Sequence, residues 1–310
     1  MTDPARSPAS ASSTAPVPQP FVKGHGTQND FVVLPDPAAR IDLNADLVRT
    51  LCDRRRGLGA DGVLRVARAG ALIAQGVLTA LPDGVAADDW FMDYRNGDGS
   101  IAEMCGNGVR VFAHYCRVAG LVDTDRFDVG TRAGSRPVTV HAVDESAADV
   151  SVEMGTVALG SQSVATIADR RYGGTAVDVG NPHLACIVDG LTPAALADLD
   201  LGGGVALDDG LFPHGANVEI VTPLQPSDDG DVDFHGHMRV VERGVGETRS
   251  CGTGLVAAAA AALAGLDRRA GTVAITVPGG DVSIAVGDRT AVLRGPSRLV
   301  ARGDLVPGWA

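Results

Sequence analysis

The chain has 310 residues, enough for one large domain or two of ordinary size, and its 45% hydrophobic and 21% charged residues are the balance of a soluble globular protein. A net charge of −12, with no Lys/Arg cluster interleaved with aromatics, argues against nucleic acid as a partner. No apolar run is long enough to span a membrane, and the five cysteines form no CxxC pair, which argues against a zinc ribbon, a thioredoxin-type motif or a disulfide framework.

Residues 1–20 are Ser, Ala, Pro and Thr with almost no bulky apolar side chain, which predicts a disordered tail lacking the apolar stretch of a secretory signal. An odd cysteine count without such a signal fits a reducing, cytoplasmic compartment. Structure is expected from Phe21, with strands at 21–23 and 31–34 joined by the Gly-rich link Gly24 to Asp30. Asp42 to Cys52 has helical spacing, and 63–66 reads as a strand. Residues 67–89 are rich in Ala, Gly and Asp and read as a long hairpin loop. A strand at 90–94 runs into Asn96-Gly97-Asp98-Gly99, a strong turn signal. A helix from about Asn107 to Ala119, apolar nearly all round and stopped by Gly120, should be buried among strands. Further strands are expected at 127–129, 137–142, 150–154, 174–179, 184–188, 216–221, 232–241, 273–276, 282–285 and 290–293, with a short helix at 192–199. A last segment, 298–300, could return to the first half.

One short stretch occurs twice: Glu103-Met104-Cys105-Gly106-Asn107-Gly108 and Arg249-Ser250-Cys251-Gly252-Thr253-Gly254, about half a chain apart. Each puts a cysteine before Gly-x-Gly, and each precedes an apolar helical run. Matched polar residues extend the repeat. Asn96 and Glu242 each stand nine residues before their cysteine, and Asn29 and Asn181 each lie in a Gly-rich link beside a strand. This pattern predicts two halves with pseudo-twofold symmetry.

A helix start offers unpaired N–H groups and a partial positive charge. It lowers the pKa of a cysteine there and suits a carboxylate ligand. Either motif alone would read as a small buried hydrophobe at a helix start. Two facing copies would hold one carboxylate between two helix ends, with a sulfur on either side of the adjacent carbon. One sulfur could then remove the α-proton while the other returns a proton to the opposite face. Such stereoinversion calls for no cofactor and no metal. Cys116 lies about 16 Å along the helix from Cys105, too far to pair with it. Cys52, Cys116 and Cys186 read as core.

At these residues the chain resembles the diaminopimelate epimerases, members of the cofactor-independent amino-acid racemase group. The resemblance rests on Gly26-Thr27-Gln28-Asn29-Asp30-Phe31, Asn96-Gly97-Asp98-Gly99-Ser100, Glu103 to Arg110, Gly180-Asn181-Pro182-His183 and Glu242 to Gly254, in the family's order over roughly 21–300. It implies an α/β (α+β) fold of two pseudo-symmetric domains, 21–148 and 149–296. Each would be a mostly antiparallel sheet around a central helix, with the active site between them and 297–310 joining the first. It implies epimerisation of LL- to meso-diaminopimelate for lysine and peptidoglycan synthesis, and a homodimer. Cys105 and Cys251 become the acid/base pair. Gly106, Asn107, Gly252 and Thr253 bind the reacting carboxylate through backbone N–H groups. Asn29, Asn96, Asn181, Asn217, Glu242 and Arg243 hold the rest of the substrate, with Arg243 suited to the distal carboxylate as a bidentate fork. His183 and Glu242 are candidates to exchange protons with the sulfurs, and for His183 fixing a loop is an alternative. One departure is Gly62, where some family members carry a Gln that reaches the substrate. The rival readings are a proline or hydroxyproline racemase of the same fold, and a thiol-redox protein joining Cys105 to Cys251.

Overall fold

The computed structural model describes residues 19–228 and 230–308. The tail expected at 1–20 falls outside them except for Gln19 and Pro20, which open the first strand. The first half runs β1 (Gln19–Gly26), β2 (Asn29–Pro35), α1 (Ala45–Cys52), β3 (Gly62–Arg68), α2 (Ala69–Ala74), β4 (Trp90–Asn96), α3 (Gly106–Val118), β5 (Arg126–Thr131), β6 (Gly134–Val143) and β7 (Ala147–Gly155). The second continues with β8 (Ala158–Ile167), β9 (Arg170–Asp178), β10 (Pro182–Ile187), α4 (Pro193–Ala197), the two-residue β11 (Val205–Ala206), β12 (Asn217–Val221) and the two-residue β13 (Gln225–Pro226). It ends with β14 (Phe234–Glu242), β15 (Gly246–Thr248), α5 (Gly252–Ala264), β16 (Gly271–Val277), β17 (Gly280–Val286) and β18 (Ala291–Leu305).

Strand pairing explains why both long helices are buried. β1 to β7 pair in sequence order, β7 pairs with β18, and β18 pairs back with β1, closing a ring around α3. The second set runs β8–β9–β10–β12–β14–β16–β17–β18 and packs around α5. The fold is therefore α+β, in two halves of similar design, each a largely antiparallel sheet around one helix. The strands follow a period-two rule. In β7, Ala148, Val150, Val152 and Met154 point to the core, and in β18, Ala291, Leu293, Gly295 and Ser297 do the same. β18 belongs to both halves, because Ala291–Arg294 pair with β17 on one side and β7 on the other, while Arg298–Leu305 pair with β1.

The reading of 67–89 as a hairpin loop is corrected. β3 continues to Arg68, α2 follows, and Leu72, Leu78 and Val85 bury with Phe91 in a small core of their own. The sheet also contains β8, which was not anticipated. Its first five residues are exposed and show no apolar alternation.

Candidate active site

The Cys-Gly-x-Gly stretches become the starts of α3 and α5. Cys105 and Cys251 are the N-cap residues, both with extended backbone and both free thiols. The Cys105 sulfur accepts from the Gly108 N–H at 3.4 Å, as an N-cap oxygen would. The two helix starts meet. A Cβ on Gly252 would stand 3.1 Å from the Gly106 Cα and 3.3 Å from the Asn107 backbone N. A Cβ on Gly106 would stand 2.9 Å from the Met154 side chain. These glycines thus have a packing reason beside any ligand reason, since the approach of the two helix starts leaves no room for a side chain.

Around each cysteine the polar residues repeat. Asn29 Oδ1 lies 3.7 Å from the Cys105 sulfur and accepts from Asn107 Nδ2 at 3.3 Å. In the other half, Asn181 Nδ2 donates to Thr253 Oγ1 at 3.4 Å, and Thr253 Oγ1 is 3.5 Å from the Cys251 sulfur. Asn217 adds its Nδ2 at 4.0 Å from the same sulfur. Its Oδ1 accepts from the Arg243 backbone N–H at 2.9 Å. Arg243 is exposed, its guanidinium donating to the His214 carbonyl at 3.4 Å. Glu242 ends β14 and accepts from the Thr248 hydroxyl. Burial pushes its carboxyl above the usual range, with that hydrogen bond opposing. Asn96 ends β4, and its Nδ2 is taken by Ser100 Oγ at 2.9 Å rather than by a thiol.

His183 is fully buried on β10 and does not touch a sulfur. Its Nε2 is 3.0 Å from Asn181 Oδ1, and its Nδ1 is 2.7 Å from Glu219 Oε1. Asn181 turns its NH₂ to Thr253, so its oxygen faces His183 and Nε2 must carry a proton. Burial holds Glu219 above the ordinary carboxyl range, with the His183 contact opposing. The chain Glu219–His183–Asn181–Thr253 thus ends on Cys251, and its geometry favours the positional reading of His183.

Glu219 was missed in the sequence. It lies two residues after Asn217 in an otherwise apolar strand, so both side chains leave the same face of β12, and that spacing was the available signal. Ser250 was also missed. It is buried, is 3.0 Å from Thr27 Oγ1, and accepts from Asn107 Nδ2 at 3.2 Å, tying the β1–β2 turn and α3 to the second half. At Gly62 a Cβ would fall 2.5 Å from the Arg95 carbonyl and 2.6 Å from the Tyr94 ring, so Tyr94 occupies the space a longer side chain would need.

Solved structures with this fold include a hydroxyproline epimerase from Agrobacterium vitis with bound trans-4-hydroxy-L-proline (16% identity, TM-score 0.58, covering 93% of this chain and 92% of that one). A PhzF-family phenazine biosynthesis protein of Bacillus anthracis is similar at 13% identity and a TM-score of 0.61, covering 94% of this chain and 99% of that one. The fold is the one these proteins share. The family profile described as diaminopimelate epimerase matches residues 21–160 and 175–300. The diaminopimelate epimerase of Rhodococcus opacus (strain B4) is 61% identical over 289 residues, 93% of this chain and 98% of that protein. That of Mycobacterium tuberculosis (strain ATCC 25177 / H37Ra) is 58% identical with the same coverage. The chain belongs to the diaminopimelate epimerase family.

Proposed function

We propose that the protein converts LL-diaminopimelate to the meso form, with Cys105 and Cys251 as the two acid/base groups. Beside the family membership, one observation supports the pairing: the Cys-bearing starts of α3 and α5 abut at Gly106 and Gly252. The reacting carboxylate would lie across both first turns, taking N–H groups of Gly106, Asn107, Gly252 and Thr253. The thiolate of one cysteine removes the α-proton. The electron pair left on carbon delocalises into the carboxylate, where the two helix starts stabilise it. The thiol of the other cysteine donates its proton to the opposite face. The sulfurs end with exchanged protonation, and the reverse reaction exchanges them again. Electrons stay on the substrate throughout, so no redox partner enters.

Asn29, Asn96, Asn181 and Asn217 would take the ammonium and carboxylate groups, with Glu242 for an ammonium and Arg243 for the distal carboxylate. Glu242 and the His183 chain support the sulfurs from the α5 side. With this reading go a cytoplasmic homodimer, a place in lysine and peptidoglycan synthesis, and functional halves 21–148 with 297–310, and 149–296. The pairing of β18 with β1 supports that assignment of 297–310.

In D2O the reduced protein, without pyridoxal phosphate or metal, is expected to exchange the α-hydrogen of diaminopimelate and invert that centre. Cys105→Ala and Cys251→Ala should each abolish inversion. Full inversion by either variant sinks the two-base assignment, and turnover of proline in place of diaminopimelate would favour the racemase reading.

A further inference from the structure

The start of α3 contains a charge that the reaction as described does not use. Arg110 is fully buried. Its Nη2 donates to Asn107 Oδ1 at 2.7 Å and to Thr27 Oγ1 at 2.8 Å, while Nε and Nη1 have no hydrogen-bond partner among the described residues. No carboxylate there lies within ion-pair distance of it. The acid whose field reaches it, Asp149, is already paired with Arg294 at 2.6 Å. The guanidinium occupies a slot left by two glycines. A Cβ on Gly295 of β18 would stand 2.1 Å from Nη1, and one on Gly26 of β1 would stand 3.0 Å from Nη2.

A buried charge without a counterion is unfavourable unless something else compensates it. Burial lowers the Arg110 pKa to about 10, with the Cys105 and Asp149 charges opposing, so the group is still cationic at neutral pH. Its position adds a full positive charge to the partial one at the α3 start. The matching position in α5 is Val256, which is fully buried and carries no charge.

The surroundings of the two sulfurs therefore differ: Glu242 acts on both, Arg110 only on Cys105 and Glu219 only on Cys251. Cys105 faces Arg110 from α3, Glu242 from β14 and the buried Tyr94 phenol from β4. Cys251 faces Glu242 from β14 and Glu219 from β12, the latter bridged to His183 of β10. We propose that Arg110 is a positioning residue that biases the pair, so that Cys105 ionises before Cys251. This rests on the two-cysteine reading above. Burial pushes the Cys105 thiol up to about 12; the Gly108 and Asn107 N–H groups and Arg110 pull it back, and Glu242 opposes them. Burial also pushes Cys251 well up; there Glu242 and Glu219 add to the rise, while Thr253 and the Gly254 N–H oppose it.

The test is alkylation of the reduced, substrate-free protein by iodoacetamide across a pH series, with each cysteine followed separately by peptide mass spectrometry. The pH midpoint of each rate profile reports ionisation, whereas the plateau reports access. The Cys105 midpoint should lie below that of Cys251. Arg110→Met should raise the Cys105 midpoint by about 0.5 pH unit, the scale of one charge acting near a helix terminus, and leave Cys251 nearly in place. Arg110→Lys, which keeps the charge, should restore the Cys105 profile. The proposal is overturned if a folded Arg110→Met protein shows an unchanged Cys105 midpoint or an equal shift at both cysteines. It is also overturned, without any variant, if Cys251 has the lower midpoint in the parent protein. Alkylation order does not depend on turnover, so a Cys105→Ala protein that still inverts substrate would overturn the function and leave this result standing.

Discussion

At the turn between β1 and β2, Thr27 and Gln28 take φ values of 49° and 61°, the left-handed region that β-branched residues avoid. Such a conformation persists only where neighbours over-determine it. Here Arg110 and Ser250 hold the Thr27 hydroxyl, and a Cβ on Gly279 would fall 1.8 Å from the Thr27 carbonyl oxygen. The turn is wedged against the second half, and the next residue, Asn29, contacts Cys105. A similar dependence links Gly254 to Glu219, since a Cβ at 254 would lie 2.6 Å from Glu219 Oε1. Gly254→Ala must therefore move the carboxylate off His183. Steady-state assays should show kcat/KM lower by about tenfold, or about 1.4 kcal/mol, in a protein that melts as one cooperative unit. Parental kcat/KM in that variant would make the His183–Glu219 contact dispensable.

At the scale of the element, α5 shows what encirclement demands. Six successive alanines, Ala257–Ala262, fill its middle, and Ala257, Ala258 and Ala259 are completely buried. With strands on all sides, only small side chains fit between helix and sheet. Ala258→Leu should lower stability by about 1–3 kcal/mol through overpacking, read as a lower urea midpoint with an unchanged slope. An unchanged midpoint would mean a cavity that the packing does not reveal. Both long helices were legible in the sequence because Cys-Gly-x-Gly starts them and unbroken apolar runs follow. β8 was not, because its outer residues face solvent and leave no period of two. α2 was not, because Ala and Gly give no amphipathic signal and only Leu72 marks its buried side. In the site, the repeated Cys-Gly-x-Gly stood out, with Asn96 and Glu242 at one matched offset and Asn29 and Asn181 in similar Gly-rich links. Glu219 and Ser250 have no counterpart in the other copy of the motif, so only the fold brings them in.

For the whole molecule, the thiols set an alkaline limit. Burial pushes Cys105 and Cys186 to about 12 and also raises Cys116 and Cys251 well above the ordinary value of 9.0. Above that value the unfolded chain releases thiol protons that the folded chain retains. The stabilisation is therefore fully present below about pH 9 and is lost as pH rises towards 12, by about 1.4 kcal/mol per pH unit for each thiol. Urea midpoints should fall steeply over that range. Replacing Cys116 and Cys186 by Ala should lower absolute stability but flatten the slope, and an equally steep slope would assign the loss to other groups.

The seam formed by β18 also imposes an order in time. Among the described strands β1 leaves the ribosome first and β18 last, yet they are neighbours in the ring around α3. Until residues 291–305 emerge, β1 and β7 each present an unpaired edge, and the apolar flank of α3 has no strand to cover it. Long-range closure of this kind is slow, and open edges invite pairing with other chains. The growing chain must therefore carry an unfinished barrel until β18 emerges, and the fifteen residues of that strand complete both halves at once.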